Sequence, residues 1–367
     1  MTLTDEIEFR NYMPDDEKNI ITLLEAAFDP WPHFDLPVTP LDHWTWKYKD
    51  NPLKQIIISL ALKNGEIIGC YHDLAQTIKI GNGYFSSYQG VDTAVKSEYR
   101  GRGIYRKLIR FAFEMENKLG KPFHYGIDIQ QATLRVSQEL GLKKMLHKKL
   151  VLSRIMDLDK HFKEKAKYTF LKKQGYEILS KYNQIRYSIF KPYNLMSDFN
   201  IYEVQEFEDR INQFWDEVKN SYQFIIVRTK EYLNWRYCDK RGGDYIVKQA
   251  EKNGRVLGYI VLRINRLSKN QQGYIVDLLT LPRRLDVAEA LVSYAGEYFV
   301  ENGVSLINSS VVEGHPYEAV LKRFGFVNNF ELILDYRPDE DYKVSLKKIG
   351  ESSAQTNLFT YGDFDWI

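Results

Sequence analysis

The order of apolar and polar residues around position 100 predicts a strand, a tight turn and a helix in direct succession. Residues 90–95 form a short, mostly apolar run of the kind that a buried strand shows. After the turn, apolar residues recur at helical spacing, at Ile104, Leu108, Phe111, Ala112, Met115 and Leu119. This spacing places them on one face of a helix, which Gly120 and Pro122 then end. The turn itself spans residues 99–103.

The same order of elements occurs twice along the chain. Residues 46–50 resemble residues 235–239, and residues 63–69 resemble residues 252–258. The separation between the two segments is the same in both copies, and each copy has an Asn-Gly pair that predicts a hairpin turn. We therefore predict two copies of one module, each with the order β-α-(α)-β-β-β-α-β-α.

The repeat divides the chain into four predicted segments. Residues 1–155 form the first module and residues 199–345 form the second. Residues 156–198 are basic and predict a helical connector, whose charged face is either solvated or forms a positive wall near an anionic ligand. Residues 346–367 form a tail that ends with four aromatic side chains, which predicts docking on the body of the protein rather than disorder.

Composition and charge exclude several classes of protein. The chain has 367 residues and a formal charge of +2, which argues against nucleic acid as the main partner. Its two cysteines and seven histidines show no metal-binding spacing, so we expect neither a metal nor a disulfide framework. No apolar run is long enough for a membrane span, and no secretory leader is recognisable. These features predict a cytoplasmic protein and leave its oligomeric state open.

The turn at residues 99–103 is the most informative chemical feature of the sequence. Gly101 and Gly103 allow positive φ angles and let a ligand approach the backbone closely. The helix that follows offers unpaired amides at its positive end, where a pyrophosphate binds well. Arg100 and Arg102 add permanent charges whose planar geometry suits phosphate.

Together with Ala94 and Val95, this turn resembles motif A of the GCN5-related N-acetyltransferase (GNAT) superfamily, Arg/Gln-x-x-Gly-x-Gly/Ala. The resemblance implies an α/β (α+β) fold of two modules, each a mixed, mostly antiparallel twisted sheet flanked by helices. It implies acetyl-CoA as co-substrate, with the pyrophosphate in the turn and the pantetheine along residues 93–95. The implied cofactor-binding residues are Thr93, Ala94, Val95, Arg100, Gly101, Arg102, Gly103, Ile104, Tyr105 and Gln130.

The usual catalytic residues of this family have no match in the chain. Its common general acid, a tyrosine, is replaced by Ser137 in the first module and Leu321 in the second, and Gln89 stands near the position of the usual base. Asp92 and Tyr125 are our catalytic candidates, although strand alternation turns Asp92 away from the face of Gln89 unless a β-bulge intervenes. A further hypothesis concerns the carboxylates of the tail: Asp363, Asp365 and the C-terminal Ile367.

The second module lacks the features of the turn. Residues 281–286 contain no glycine, and Pro282 removes one amide donor. Asp286, at the predicted N-cap, competes with a phosphate for the remaining amides. We therefore predict that only the first module binds the coenzyme.

These observations predict an acetyl-CoA-dependent N-acetyltransferase that acylates a primary amine of a small acceptor. The tandem arrangement also resembles, less specifically, acyltransferases of surface-polysaccharide assembly, which points to an amino sugar. Two alternatives stay open. One is a non-catalytic coenzyme A-binding protein, because the base and the acid are missing. The other is an aminoacyl-tRNA-dependent transferase, which the intact pyrophosphate turn and the small net charge disfavour.

Overall fold

The computed structural model describes residues 6–120, 122–128, 131–145, 147–157, 174, 178, 198–267, 271–339, 346–347 and 353–365. The chain divides into two units. Unit 1 comprises residues 1–146 and 332–351, and unit 2 comprises residues 147–331 and 352–367. No helix in the described part of the chain is long and apolar enough to cross a membrane.

Unit 1 is built on one sheet. Its elements are β1 (Glu8–Asn11), α1 (Glu17–Phe28), α2 (Pro40–Trp44), β2 (Ile57–Lys63), β3 (Glu66–Ile80), β4 (Gly83–Val95), α3 (Ile104–Lys118), β5 (Phe123–Asp128), α4 (Gln131–Glu139), β6 (Lys143–Lys144) and the second half of β14 (Val327–Tyr336). Strands β1 to β4 are antiparallel neighbours. β5 pairs with β4 in parallel, and β14 pairs with β5 in antiparallel orientation.

Unit 2 repeats this plan. Its elements are β7 (Lys149–Ile155), β8 (Asn200–Val204), α5 (Arg210–Val218), β9 (Phe224–Ile226), α6 (Lys230–Leu233), β10 (Tyr245–Lys252), β11 (Arg255–Asn265), β12 (Gln272–Thr280), α7 (Leu285–Glu301), β13 (Leu306–Val312) and α8 (Pro316–Arg323). The sheet order is β8-β10-β11-β12-β13-β7, antiparallel except between β12 and β13. The predicted fold class, two mixed and mostly antiparallel sheets with helices, is confirmed.

The last strand of each sheet comes from the other half of the sequence. β7 is the last strand of the predicted first module, residues 1–155, yet it pairs with β13 in unit 2. Conversely, residues 333–336 of β14 pair with β5 in unit 1. The boundaries of the two units therefore differ from those of the predicted segments. The reason is that the last strand of each sheet belongs, in sequence, to the other module. Most of the predicted connector, residues 156–198, lies outside the described residues.

Helix α3 packs against β2 and β3 through one face. Its buried apolar residues are Ile104, Leu108, Ile109 and Ala112. The pattern also predicted Leu119 on this face, but the helix ends at Lys118 and Leu119 is exposed. The buried face instead includes the carboxylate of Glu116. A buried carboxylate is costly unless it is paired, so this position calls for partners inside unit 1.

The C-terminal tail is packed inside unit 2, where residues 357–364 are buried. Arg228 is fully buried and forms ion pairs with Asp277 at 2.9 Å and with Asp363 of the tail at 2.6 Å. Arg236 donates hydrogen bonds to two backbone carbonyl groups of the tail. The tail therefore contributes a charge that unit 2 needs in its interior.

We expect Asp363→Asn to lower the free energy of unfolding of unit 2 by about 3 kcal/mol, because removing one carboxylate leaves the buried Arg228 charge undercompensated. Urea unfolding followed by circular dichroism measures this loss. Asp286→Asn is the matched control, since Asp286 pairs with Arg284 at the surface and its loss costs less than about 1 kcal/mol. Equal effects of the two substitutions would contradict the prediction.

Candidate functional site

Strands β4 and β5 separate from each other in unit 1. They pair only over residues 87–89 and 123–125. Beyond these residues β4 continues along β3 to Val95, and β5 continues along β14 to Asp128. A cavity of about 920 Å³, lined by residues of both strands, opens at the separation and extends to the start of α3. Backbone groups that face this separation are available to a ligand.

The cavity collects most of the residues that the sequence predicted to bind a cofactor. Its lining includes Thr93, Ala94, Val95, Arg100, Gly101, Gly103, Ile104 and Tyr105. Arg102 is exposed and does not belong to the lining. Gln130 lies outside the described residues, so its contact with a cofactor stays a prediction.

The glycine-rich turn has the conformation that the sequence predicted. Gly101 and Gly103 have φ angles of 76° and 75°, which other residues rarely adopt. A Cβ atom built on either glycine would meet no atom within 4 Å, so both open onto free space. Gly103 is the N-cap of α3 and supplies no side-chain acceptor to its first amides. The first amides of the helix are therefore available to an external acceptor such as an anion.

Arginines flank the turn on both sides of Gly101. Arg100 Nε donates to the carbonyl of Val95 at 3.0 Å, which holds this side chain between the strand end and the turn. The Arg102 guanidinium lies 5.4 Å from the centre of the Tyr99 ring. Arg100, which lines the cavity beside the first amides of α3, makes this end of the cavity suited to a polyanion, and Arg102 adds positive charge in the same turn.

A β-bulge interrupts β4 at Asp92. Between residues 70 and 72, one residue of β3 faces two residues of β4. Asp92 has a φ angle of 41°, which is uncommon for a residue other than glycine. The bulge that would change the facing of Asp92 is thus present.

The Asp92 carboxylate accepts three hydrogen bonds inside unit 1. The donors are Trp31 Nε1 at 2.8 Å, Lys47 Nζ at 2.6 Å and Tyr48 Oη at 2.5 Å. Burial alone would raise the pKa of this carboxyl, but the Lys47 charge and the hydrogen bonds lower the pKa below its ordinary value. A carboxylate in this state is a weak base at neutral pH.

His72 fixes the backbone of the bulge. The Trp44 indole donates to His72 Nε2 at 3.3 Å, so the imidazole proton is assigned to Nδ1, which donates to the Asp92 carbonyl at 2.9 Å. Burial lowers the pKa of His72 to about 4, and the ring is therefore neutral at pH 7.

Unit 2 repeats the bulged strand without the glycine-rich turn. α2 and α6 each continue into a π-helix, Thr45–Lys49 and Asn234–Cys238. Tyr237 of the second π-helix donates to Asp277 at 3.1 Å, and Asp277 lies beside a bulge in β12. Tyr48 donates to Asp92 in the same way. Because the pair also occurs in the unit that has no glycine-rich turn, it indicates a structural role that connects the π-helix to the bulged strand.

The corresponding separation of strands in unit 2 is filled by the tail. β12 and β13 pair over residues 272–275 and 306–309. Beyond this pairing, Thr360 of the tail donates to Asp277 at 3.0 Å. The space left among the described residues there is about 10 Å³, no more than one water molecule requires.

Tyr125, the second catalytic candidate, does not line the cavity. Its side chain is fully buried and its hydroxyl donates to Gln76. Gln89 is also buried and outside the lining, whereas Ser137 lines the cavity. Tyr125 thus packs within the sheet, which is the usual structural role of a tyrosine on a strand.

The structure describes only part of the tail hypothesis. Asp363 is occupied by its ion pair with Arg228 in unit 2. Ile367 lies outside the described residues, so the location of the C-terminal carboxylate stays open.

Buried polar residues that the sequence analysis did not select also reach the cavity of unit 1. Tyr71 and His124 both line it. Tyr71 Oη lies 3.4 Å from His124 Nε2, and His124 Nδ1 lies 2.7 Å from Glu116 Oε1. Arg337 pairs with the second Glu116 oxygen at 2.9 Å. The one available signal was Glu116, a carboxylate one turn after Ala112 on an otherwise apolar helix face.

Burial shifts the pKa values in this group. It raises the pKa of Glu116 to about 7 and lowers that of His124 to about 4. Burial, together with the nearby Glu116, also raises the pKa of Asp73, whose carboxylate lies 3.7 Å from His124 Nδ1. The His124 imidazole is therefore neutral at pH 7, while Glu116 is close to its midpoint of ionisation.

Family models match both halves of the sequence. A model described as an acetyltransferase (GNAT) domain matches residues 8–134, and one described as the acetyltransferase (GNAT) family matches residues 204–326. Together the two matches cover more than half of the chain. No curated protein matches the sequence.

Solved structures share the fold at low identity. A probable N-acyltransferase of unknown function from Enterococcus faecalis V583 has a TM-score of 0.63 at 11% identity, over 90% of this chain and 72% of that one. N-myristoyltransferase from Saccharomyces cerevisiae with bound myristoyl-CoA has a TM-score of 0.61 at 12% identity, over 92% and 85%. A tandem GNAT protein from the clavulanic acid biosynthesis pathway has 0.58 at 12%, over 91% and 100%.

We expect Lys47→Met to lower the free energy of unfolding by about 3–5 kcal/mol at pH 7, because the buried Asp92 carboxylate loses its counter-charge. In the wild type the pKa of Asp92 is depressed, so its stabilisation is present above the pKa of the unfolded chain. Without Lys47 the pKa of Asp92 rises, and the variant regains stability relative to the wild type as the pH falls. Urea unfolding at pH 7 and pH 5 measures both effects, and a loss independent of pH would contradict this account.

Proposed function

Since the chain belongs to the GNAT acetyltransferase superfamily and contains two domains of it, we propose that unit 1 transfers an acetyl group from acetyl-CoA to a primary amine of a small acceptor. The observation that carries the proposal is the cavity between β4 and β5, which ends at the glycine-rich turn. A cavity lined by residues of β4 and by the start of α3, with unpaired helix amides at that helix start, suits a thioester on a long arm with a pyrophosphate.

The pyrophosphate end of the coenzyme is the best supported part of this proposal. The amides at the start of α3 have no intrahelical acceptor, and Gly103 leaves them accessible. Arg100, held by the Val95 carbonyl, adds a fixed positive charge. The pantetheine then extends along residues 93–95, where β4 no longer pairs with β5.

The bulge of β4 is where we place the carbonyl group of the reacting thioester. Acyl transfer to an amine passes through a tetrahedral oxyanion, which backbone N–H groups stabilise when they are already oriented. A bulge leaves backbone groups of residues 92–93 outside the regular ladder, next to the cavity. We assign Asp92 the task of holding this bulge, since its low pKa and three donors make it a poor base.

Unit 2 takes no coenzyme in this proposal. Its turn at residues 281–286 contains an ion pair between Arg284 and Asp286 in place of glycine. The tail fills the separation between its strands. We therefore expect one coenzyme site per chain. Unit 2 then has either a structural role or a role in binding the acceptor.

The identity of the acceptor rests on resemblance alone. An amino sugar of surface-polysaccharide assembly is our proposal, because the tandem arrangement resembles acyltransferases of that process. A coenzyme A thioester as donor, together with the unpaired Cys70 and Cys238, supports a cytoplasmic location. A non-catalytic coenzyme A-binding protein is the alternative, which Gln89 and Ser137 at the positions of the family's base and acid favour.

We expect Gly103→Ala to weaken acetyl-CoA binding at least about tenfold, because a methyl group then projects toward the pyrophosphate site at a φ angle that alanine disfavours. Gly303→Ala is the matched control. Gly303 has a φ angle of 67°, an added Cβ also meets nothing within 4 Å, and the residue lies in unit 2. Both substitutions should cost about 1 kcal/mol in stability, and only the first should change the affinity in calorimetry.

An assay of thiol release with a panel of amines separates the two functions. Acetyl-CoA binding together with amine-dependent release of coenzyme A supports the acetyltransferase. Binding without release on any amine supports the non-catalytic alternative. An absence of acetyl-CoA binding to the wild type would contradict both.

A further inference from the structure

We propose that Tyr71, His124 and Glu116 form a proton relay in which the Tyr71 hydroxyl takes the proton of the acceptor amine and later returns a proton to the leaving thiolate. This inference rests on the proposed acyl transfer in unit 1. It supplies the base and the acid that neither Asp92 nor Tyr125 provides in the observed geometry. Tyr71 would contact the substrate, whereas His124 and Glu116 act through it.

The first argument is the place of the Tyr71 hydroxyl. A Cβ atom at Gly90 would lie 2.2 Å from Tyr71 Oη, so only glycine allows this contact. Gly90 follows Gln89, the last residue of β4 that pairs with β5. The hydroxyl therefore lies at the point where the two strands separate, and both Tyr71 and Gly90 line the cavity.

The second argument is the direction of the hydrogen bonds. The Glu116 carboxylate accepts from Nδ1 at 2.7 Å, which assigns the imidazole proton to Nδ1 and leaves a lone pair on Nε2. That lone pair faces the Tyr71 hydroxyl at 3.4 Å, a distance that can shorten in a substrate complex. The carboxylate orients a neutral imidazole, and the imidazole accepts from a hydroxyl. The serine, histidine and aspartate of hydrolases are arranged in the same order.

The third argument is the charge around the imidazole. Glu116 is fully buried and pairs with Arg337, whose guanidinium also lies 4.7 Å from the centre of the Phe113 ring. Asp73 on β3 faces the same nitrogen of His124 at 3.7 Å. Burial lowers the pKa of His124 to about 4, which keeps the ring neutral at pH 7 but makes it a weak base, so its protonation during the reaction depends on the Glu116 carboxylate at Nδ1. The nearby carboxylate stabilises the imidazolium when it forms.

The proton steps balance. As the amine nitrogen attacks the thioester carbon, its proton passes to Tyr71 oxygen while the tyrosine proton passes to His124 Nε2. The tetrahedral intermediate then collapses, the carbon–sulfur bond breaks, and the amide forms. His124 returns a proton through Tyr71 to the sulfur. The products are the N-acetylated acceptor and free coenzyme A, and the relay ends in its starting state.

We expect Tyr71→Phe to lower kcat about 100-fold while the Kd of acetyl-CoA stays within about twofold of the wild type. Tyr12→Phe is the matched control. Tyr12 also belongs to unit 1 and donates to a carboxylate, that of Glu17, but it does not line the cavity. Wild-type kcat in Tyr71→Phe would overturn the relay. Loss of acetyl-CoA binding by the wild type would instead overturn the proposed function, and the relay with it.

Glu116→Gln tests the positioning role, because glutamine can still accept the Nδ1 hydrogen bond but carries no charge. Burial raises the pKa of Glu116 to about 7, so wild-type kcat/KM should fall as the pH drops through this value and Glu116 becomes protonated. In Glu116→Gln, assayed with the same amine, this acidic limb should disappear and kcat should fall about tenfold. An unchanged limb would overturn the role of Glu116.

A nuclear magnetic resonance measurement tests the relay without turnover. At pH 7 the ¹⁵N spectrum of His124 should show a neutral ring with its proton on Nδ1, and His124→Asn identifies the signal. Asp73, Glu116 and His124 also offer three ligand atoms within 4.8 Å of one another. A charged ring at pH 7, or a stoichiometric divalent metal in the purified protein, would overturn the relay.

Discussion

The bulge of β4 and its buried aspartate are the constraint on which the site depends. A parallel pair of strands normally stays hydrogen-bonded to its end, because unpaired backbone groups are costly in the interior. In unit 1 the pairing of β4 with β5 ends at Gln89, and the bulge at Asp92 follows it on the same strand. Three donors, among them Tyr48 of the π-helix, hold the carboxylate of the bulged residue. These donors thus fix the bulged residue Asp92, which itself lines the cavity, at the place where the strands separate.

The two copies show which parts of this frame are structural and which are chemical. Both keep the π-helix, its tyrosine and an aspartate beside a bulge, so this arrangement belongs to the fold. They differ in what occupies the opening. Unit 1 keeps a large cavity and the glycine-rich turn, whereas unit 2 receives its own tail and a buried arginine with two carboxylates. Both copies therefore share the frame, and at this opening the described residues leave a large cavity in unit 1 and almost no space in unit 2.

Much of this fold could be predicted from the sequence because it depends on local patterns. The helical spacing after residue 104 and the positive φ angles of Gly101 and Gly103 follow from neighbouring residues alone. The tyrosine, histidine and glutamate group could not be predicted in this way. Tyr71, Glu116 and His124 lie on three different elements, and a buried histidine looks like any other until its partners are known. Glu116 alone broke a pattern, by placing a carboxylate on an apolar helix face.

The sequence by itself determined the repeat, the two mixed sheets, the family and the glycine-rich turn, because each of these follows from neighbouring residues or from the comparison of the two copies. Only the tertiary structure decided that β7 completes the sheet of unit 2 and β14 the sheet of unit 1. It also decided that the tail fills the strand separation of unit 2 and that Asp92 accepts from three donors. The physical reason is the same in each case. A long-range pairing forms where folding buries a backbone group or a charge that lacks a partner nearby in the sequence. Which groups become buried together is visible only in the folded chain.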